Sequence, residues 1–190
     1  MNAAKRTTLL DAVEVVMREQ GYAAVTARNV ANAAGLKYQI VFYYFESMDD
    51  LLLTAYRRRT ETVLERAEEA LSSERPLQAF WELWSDPADA ALTIEYMALS
   101  NHNQIIRAET AAFGERMRRF VAEKLSRRLG RAAFDQEAVT ALGVTGSLVS
   151  IAAILGFESA MGIEGGHAET QALVRRFIGE LERSASVAPA

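Results

Sequence analysis

Residues 26–45 constrain the fold of this chain more than any other stretch of the sequence. Thr26 can cap a short helix whose apolar residues recur at the 3.6-residue period that buries one face. Gly35 then stands where a helix ends in a left-handed turn, and a segment of polar and aromatic residues runs from Lys37 to Tyr44. Helix, glycine turn and helix form the helix-turn-helix arrangement, whose second helix enters the DNA major groove. The pattern therefore favours sequence-specific DNA binding.

Two other interpretations of this stretch stay open at the level of sequence. Residues 38–45 are rich in aromatic and β-branched side chains, and taken alone they are typical of a β-strand. Two helices joined by a glycine turn also occur in helical proteins that never touch DNA. The pattern alone thus leaves a DNA-reading helix, a strand and a purely structural helix pair as alternatives.

The stretch resembles the N-terminal DNA-binding domain of the TetR family of transcriptional regulators. The resemblance covers about residues 8–57 and includes the Asp-Asp-Leu-Leu sequence at 49–52. In such proteins a first helix, here about 7–20 and closed by Gly21, supports the two-helix motif, and a fourth long helix leads away from it. Residues at family-typical places are Thr26, Val30, Ala31, Ala34, Gly35, Leu36, Phe42, Tyr43, Phe45, Leu51 and Leu52.

Four residues depart from the family pattern. Lys37 stands where a capping Ser or Thr is usual, and Gln39 stands where a Gly or Pro is common. Phe42 takes the place of a frequent tyrosine, and Met48 that of a frequent phosphate-binding lysine. The last two departures remove potential phosphate contacts, so they bear on the DNA contacts and not on the fold.

Candidate DNA contacts follow from the position of each side chain in the motif. The Gln39 amide suits adenine in geometry, and Ile40 suits a thymine methyl group. The candidates for base contact are Arg28, Tyr38, Gln39 and Ile40. The candidates for phosphate contact are Thr26, Lys37, Tyr43 and Tyr44.

The distribution of charge fits a DNA-binding N-terminal part. The chain of 190 residues has a formal net charge of −4. Residues 1–60 hold 8 basic and 6 acidic side chains, giving +2, whereas residues 61–190 hold 13 and 19, giving −6. A positive balance on the DNA-reading part is what attraction to phosphate requires. Because the balance is small, we expect affinity to depend on dimerisation.

The remaining sequence predicts helices with short connections, and therefore an all-α fold of about nine helices. Ser47 and Asp50 resemble a capping box that opens a helix from about 48 to 71. Ser72-Ser73 and Pro76 break that helix, Asp86-Pro87 marks a further helix start, and a long helix ends near residue 129. We divide the chain into a helix-turn-helix domain at 1–47 and a helical ligand-binding and dimerisation domain at 48–190.

Residues 138–157 contain no charged side chain and are about as long as a membrane span. Hydroxyl residues such as Thr145 and Ser150 dilute their apolarity, and acidic residues flank them. A buried helix explains the segment better. Small residues such as Gly156 would let another backbone approach it closely.

The resemblance also implies a ligand pocket and a dimer interface in the C-terminal domain. Pockets of this kind are mostly apolar with a few polar anchors. The predicted pocket residues are Phe80, Trp84, Glu95, Tyr96, Met97, His102, Phe113, Met117, Phe120 and Thr145. The last two helices, about 135–161 and 168–184, are expected to form the interface through Ser147, Ser150, Ile154, Val174, Phe177, Ile178 and Leu181.

The sequence offers no catalytic constellation. The chain has no cysteine, and its two histidines, His102 and His167, are far apart and outside any metal-ligand spacing. No catalytic residue, metal or cofactor is therefore expected. The hypothesis is a cytoplasmic homodimeric regulator, a repressor that leaves a palindromic DNA operator when a small, largely apolar ligand binds. The alternative is a helical ligand-binding or protein-interaction module without operator recognition.

Overall fold

The computed structural model describes residues 3–130, 134 and 139–187. Nine α-helices and one short 3-10 turn, Tyr22–Ala24, form the fold of these residues, which confirms the predicted all-α class. The helices are α1 (Ala3–Gln20), α2 (Ala27–Ala33), α3 (Gln39–Tyr44), α4 (Met48–Ser72), α5 (Pro76–Trp84), α6 (Pro87–His102), α7 (Gln104–Leu129), α8 (Ala141–Ala160) and α9 (His167–Val187).

Backbone contacts divide the chain into two compact units. Unit 1 comprises residues 1–62 and 91–113, and unit 2 comprises residues 63–90 and 114–190. Helices α4, α6 and α7 therefore contribute residues to both units. These units are defined by backbone contacts and do not test the predicted boundary between functional domains after residue 47, which stays a prediction.

The core of unit 1 joins the N-terminal helices to α6. Leu9 and Val13 of α1 and Val30 of α2 are fully buried in it. Leu92 and Tyr96 of α6 lie in the same cluster. Because burying one such aliphatic side chain contributes about 1.5–3 kcal/mol, this cluster is the main source of stability for the helix-turn-helix region.

The Ser47 cap predicted at the start of α4 is confirmed, and the return bond of Asp50 goes to the residue before the cap. The Ser47 hydroxyl accepts a hydrogen bond from the Asp50 N–H at 3.1 Å, and the Asp50 carboxylate accepts one from the Glu46 N–H at 3.0 Å. Helix α6 begins at Pro87, as expected, and α5 likewise begins at Pro76. Proline is tolerated at this position because it lacks only an N–H that the first helical turn leaves unpaired.

In unit 2, a side chain of α9 caps the beginning of α5. The Glu182 carboxylate accepts hydrogen bonds from the N–H groups of Leu77 and Gln78, at 3.0 and 3.2 Å, and from Arg75 Nε at 3.1 Å. A carboxylate at a helix N-terminus also interacts favourably with the helix dipole. This contact fixes α5 against α9.

Two predicted helix boundaries are wrong. Helix α1 begins at Ala3 and not near residue 7, because Thr7 and Thr8 donate to carbonyls four residues earlier and so belong to a helix already under way. Helix α8 begins at Ala141, where Thr140 caps it by accepting from the Gly143 N–H at 2.9 Å. The earlier residues 135–138 lie outside the described part of the chain.

Within the single chain, the predicted buried helix α8 is buried along only part of its surface. Val144 and Leu148 are buried, whereas Leu142, Ile154 and Phe157 are exposed. Helix α8 thus packs through one face and leaves an apolar face uncovered. Among the described helices, it alone is long and apolar enough to cross a membrane, a criterion that core helices of soluble proteins also meet.

The predicted close approach to α8 holds at one glycine. A Cβ atom added at Gly156 would collide with the Cβ of Ala90 in the first turn of α6. At Gly146 a Cβ would meet nothing. Gly156 is therefore the position at which packing requires the absence of a side chain.

Candidate DNA-binding site

Local hydrogen bonds build the first helix and the turn of the motif as the sequence predicts. The Thr26 hydroxyl accepts from the Asn29 N–H at 3.2 Å and so caps α2. Gly35 adopts φ +66°, the left-handed conformation that favours glycine. The Leu36 N–H then donates to the Ala31 carbonyl at 2.8 Å, which closes the end of α2.

Residues 39–44 form helix α3, so the strand interpretation is wrong. Val41 is fully buried, and Phe45 directly after the helix is nearly so. These two residues anchor α3 to the core and override the local β preference of its aromatic residues. The helix begins without a side-chain cap at Tyr38, as the departure at Lys37 suggests.

The exposed face of α3 is aromatic and polar. Tyr38, Phe42 and Tyr43 are 50%, 52% and 67% exposed, respectively. Tyr43 and Tyr44 form an edge-to-face pair with ring centroids 5.0 Å apart, which orients both rings. Of the eight predicted contact residues, Thr26, Arg28, Lys37, Tyr38, Gln39 and Tyr43 are exposed, and Ile40 and Tyr44 are partly buried.

Sequence reasoning missed two features of this region. Phe42 was considered only as a lost phosphate contact, whereas its ring is half exposed on α3. Sequence reasoning also assigned Glu95 to a pocket, whereas the Glu95 carboxylate accepts a hydrogen bond from the Tyr22 N–H at 2.7 Å. The second contact joins residues far apart in the chain, so no local pattern could have indicated it.

Five of the ten predicted pocket residues lie in unit 1. Tyr96 and Phe113 both pack edge-to-face on Tyr56, with centroids 5.0 and 6.4 Å apart, respectively. Burial raises the pKa of the Tyr96 phenol, which stays protonated, and its oxygen has no hydrogen-bond partner within the described part of the chain. His102 stacks on Tyr22, and Met97 is exposed.

The other five predicted pocket residues lie in unit 2. Phe80 and Met117 are buried, and Trp84 lies against Phe80 with centroids 6.1 Å apart. Lys124 Nζ lies over the Phe120 ring, 5.5 Å from its centroid. The Thr145 hydroxyl donates to the Ala141 carbonyl of its own helix at 2.7 Å. Its proton is therefore already used, its oxygen can still accept, and its role as a polar anchor stays a prediction.

A cavity of about 600 Å³ lies elsewhere in unit 2. It is lined by Glu74, Arg75, Pro76, Arg128, Leu129, Gly179, Glu182 and Arg183, and none of the predicted pocket residues is among them. Its wall is charged, and Glu182 in it already caps α5. The cavity therefore lacks the apolar character expected of the ligand pocket. The ligand pocket itself stays a prediction.

The predicted interface residues fall into two groups. Ser147, Ser150, Ile154 and Phe177 are exposed and available for a contact between chains. Val174, Ile178 and Leu181 are buried within the chain itself. This burial does not favour their assignment to the interface, which stays a prediction. Their stripe on α9 faces the core of unit 2, and the apolar residue that α9 leaves most exposed is Leu173.

The described residues contain no group of three or more His, Asp or Glu side chains that could hold a metal ion. His167 is close to other polar groups, with its Nε2 2.9 Å from Glu158 Oε2 and its Nδ1 3.3 Å from the Ser159 hydroxyl. These contacts join the end of α8 to the first residue of α9. His167 therefore has a structural role, which is to hold the beginning of α9 against the end of α8.

Residues 9–55 match the family model of the bacterial regulatory proteins of the tetR family. The match spans α1 to the first part of α4, and so includes the whole helix-turn-helix motif. No relative with significant similarity was found among curated proteins.

Solved structures with similar folds cover almost the entire chain. A transcriptional regulator from Rhodococcus sp. Rha1 is 18% identical, with a TM-score of 0.75 over 97% of this chain and 99% of its own. A TetR transcription regulator from Haloarcula marismortui is 19% identical, with a TM-score of 0.71 over 96% and 98%. A proposed transcriptional regulator from Saccharomonospora viridis in complex with choline is 20% identical, with a TM-score of 0.75 over 94% and 95%. The likeness therefore extends beyond the DNA-binding domain to the whole fold.

Proposed function

We propose that this chain, whose residues 9–55 match the tetR family model, is a cytoplasmic, homodimeric repressor of transcription of the TetR family. It binds a palindromic DNA operator through α2 and α3 and leaves that operator when a small, largely apolar ligand binds. Its chemistry is recognition and not catalysis.

The observation that carries DNA recognition is the exposed face of α3. Tyr38, Gln39 and Tyr43 project from a helix that Val41 holds against the core. A rigid helix with exposed amide, phenol and cationic neighbours can donate to base edges and phosphates in the major groove. Arg28 and Lys37 supply positive charge on the same motif.

Dimerisation is supported by the uncovered apolar face of α8 and α9. Ile154 and Leu173 are 56% and 68% exposed, and Phe157 and Phe177 add aromatic surface. Exposed apolar side chains in this number are typical of a surface that contacts another protein. A twofold dimer presents two reading helices to the two halves of a palindrome.

Ligand control is supported by the aromatic groups of both units. Tyr56, Tyr96 and Phe113 form one aromatic cluster, and Phe80 and Trp84 form another. Aromatic faces accept apolar molecules and also quaternary ammonium ions, and one structural neighbour holds choline. A ligand can release DNA only if it binds the two conformations of the protein with different affinity.

A selection of bound duplexes from a random pool tests this function most simply. The wild-type chain should enrich one palindromic sequence, and the enriched duplex should then be titrated with apolar compounds and with choline. An effector should lower operator affinity about 5- to 150-fold, the usual range of allosteric coupling. Enrichment of no sequence would contradict operator recognition and favour a ligand-binding or interaction module.

A further inference from the structure

The segment 95–103 holds the helix-turn-helix motif at both of its ends. Before the motif, Glu95 Oε2 accepts a hydrogen bond from the backbone N–H of Tyr22 at 2.7 Å. After the motif, Asn103 Nδ2 donates to Asp49 Oδ1 in the first turn of α4 at 2.6 Å. All of these residues belong to unit 1. One short stretch at the end of α6 therefore brackets α2 and α3.

The contact of Glu95 supplies a cap that the local sequence lacks. The 3-10 turn that leads into α2 begins after Gly21, which has no side chain to accept from the free N–H groups. Glu95, 73 residues further along the chain, accepts from the Tyr22 N–H instead. A hydrogen bond from a backbone amide to a carboxylate is about twice as strong as one between neutral groups. The position of the turn thus depends on a residue of α6.

The Glu95 carboxylate also packs directly against residues 21–26, the connector between α1 and α2. A Cβ added at Gly21 would lie 3.5 Å from Glu95 Oε2, and Gly21 itself adopts φ +82°. One side of the turn is therefore a glycine in a left-handed conformation, and the other side is the Glu95 side chain. Neither a larger residue at Gly21 nor a shorter one at Glu95 would keep this geometry.

His102 adds a second contact from the same face of α6. Its ring stacks on the Tyr22 ring, with centroids 5.8 Å apart and planes 13° apart. Residues seven apart lie two turns along one face of a helix, so Glu95 and His102 both face the connector. Glu95 binds the backbone of Tyr22, and His102 covers its side chain.

We propose that Glu95 is a positioning residue, which fixes the connector and through it α2 and α3 in the orientation that reads DNA bases. This inference rests on the proposed operator recognition. Base contacts require side chains to be held within about 0.5 Å of the productive geometry. Phosphate contacts depend mainly on charge and tolerate displacement. Loss of the Glu95 carboxylate should therefore lower specific binding much more than nonspecific binding.

The test compares four chains on two duplexes of equal length, the selected operator and a scrambled sequence. Glu95→Ala removes the acceptor, Glu95→Gln keeps a neutral acceptor oxygen, and Glu61→Ala removes an exposed glutamate of α4 as a matched control. By fluorescence anisotropy, Glu95→Ala should bind the operator about 10-fold more weakly and change scrambled binding less than about 2-fold. Glu95→Gln should fall between Glu95→Ala and wild type, and Glu61→Ala should match wild type.

The outcomes separate this inference from the function on which it rests. A wild-type chain that prefers no duplex refutes operator recognition. A wild-type chain that prefers the operator, together with a Glu95→Ala chain that binds it equally well, refutes only the positioning role. An equal loss on both duplexes refutes it too, since a positioning residue acts on specificity.

Hydrogen exchange at the Tyr22 amide tests the contact without any variant, and so covers the case in which Glu95→Ala does not fold. In the wild-type chain, NMR should show this amide exchanging slowly, because the Glu95 carboxylate protects it. Exchange as fast as that of an exposed amide would overturn the inference.

Discussion

Two of the exposed apolar surfaces in the described part of this chain differ in chemistry. On α3 in unit 1 the exposed rings are Tyr38, Phe42 and Tyr43, with the Gln39 amide among them. On α8 and α9 in unit 2 the most exposed apolar residues are aliphatic, with Ile154 and Leu173 as examples. The charge differs as well, since residues 1–60 carry +2 and residues 61–190 carry −6.

This difference indicates two kinds of partner. Phenol and amide groups can bond to polar atoms while their flat surfaces remain in contact with the partner, which suits the polar groove of DNA. Aliphatic side chains stabilise a contact only by being removed from water. A second copy of the same apolar surface is a partner that removes them from water. The polar groups within the two surfaces therefore distinguish them.

The largest effect is expected from a charge placed in the aliphatic surface. Ser150→Arg should prevent dimerisation, because an unpaired charge buried in an interface costs about 3–5 kcal/mol. Sedimentation equilibrium should show monomers or aggregates, with operator binding lost. Ala112→Arg, at an exposed position of α7, is the matched control and should stay dimeric. A dimeric Ser150→Arg chain would mean that the surfaces of α8 and α9 are not the interface.

The next effect is expected on the reading surface. Arg28→Ala and Gln39→Ala should each weaken operator binding by about 1–3 kcal/mol if their side chains contact base edges. Arg119→Ala removes an exposed arginine of unit 2 and serves as the control. Mobility-shift titrations at one fixed salt concentration give the affinities. Unchanged affinity in both reading-helix variants would remove these residues from the contact set.

A pair of threonine caps permits a direct comparison of the two units. Thr26 caps α2 in unit 1, and Thr140 caps α8 in unit 2. Replacement of either by alanine should lower the free energy of unfolding by about 1 kcal/mol. Only Thr26→Ala should also weaken DNA binding, because Thr26 lies in the reading motif. Denaturant unfolding and operator titration measure the two effects, and an equal loss of DNA affinity in both variants would contradict the separation of roles.

The smallest effect is expected from the loss of one phenol oxygen. Tyr44→Phe should weaken binding to operator and scrambled duplexes alike, by about 0.5–1.5 kcal/mol, if the Tyr44 hydroxyl contacts phosphate. The aromatic pair with Tyr43 is kept in this variant. A loss confined to the operator would instead make Tyr44 a base-reading residue.

Local signals predicted the motif well. The Thr26 cap, the Gly35 turn and the Ser47 cap each involve residues within a few positions of one another, so the sequence displays them directly. Local signals could not decide between a strand and a helix for residues 39–44. It depends on Val41 and Phe45 being buried by helices from other parts of the chain.

Long-range contacts explain what the sequence could not predict. The apolar stripe of α9 was recognised, but its period does not say whether Ile178 meets its own chain or another one, and here it is buried within the chain. Glu95 and Glu182 each cap a turn or helix that is distant in sequence. A carboxylate used in this way has the same local sequence context as one that faces water or a ligand.

A hydroxyl-radical footprint of the wild-type chain on its selected duplex tests the central claim most directly. Two reading helices on a twofold dimer should protect two half-sites, with centres about 10 base pairs or a multiple of that apart. Their sequences should be related by inversion. Uniform protection along the duplex, or a single protected site, would contradict recognition of a palindromic operator by a dimer of this chain.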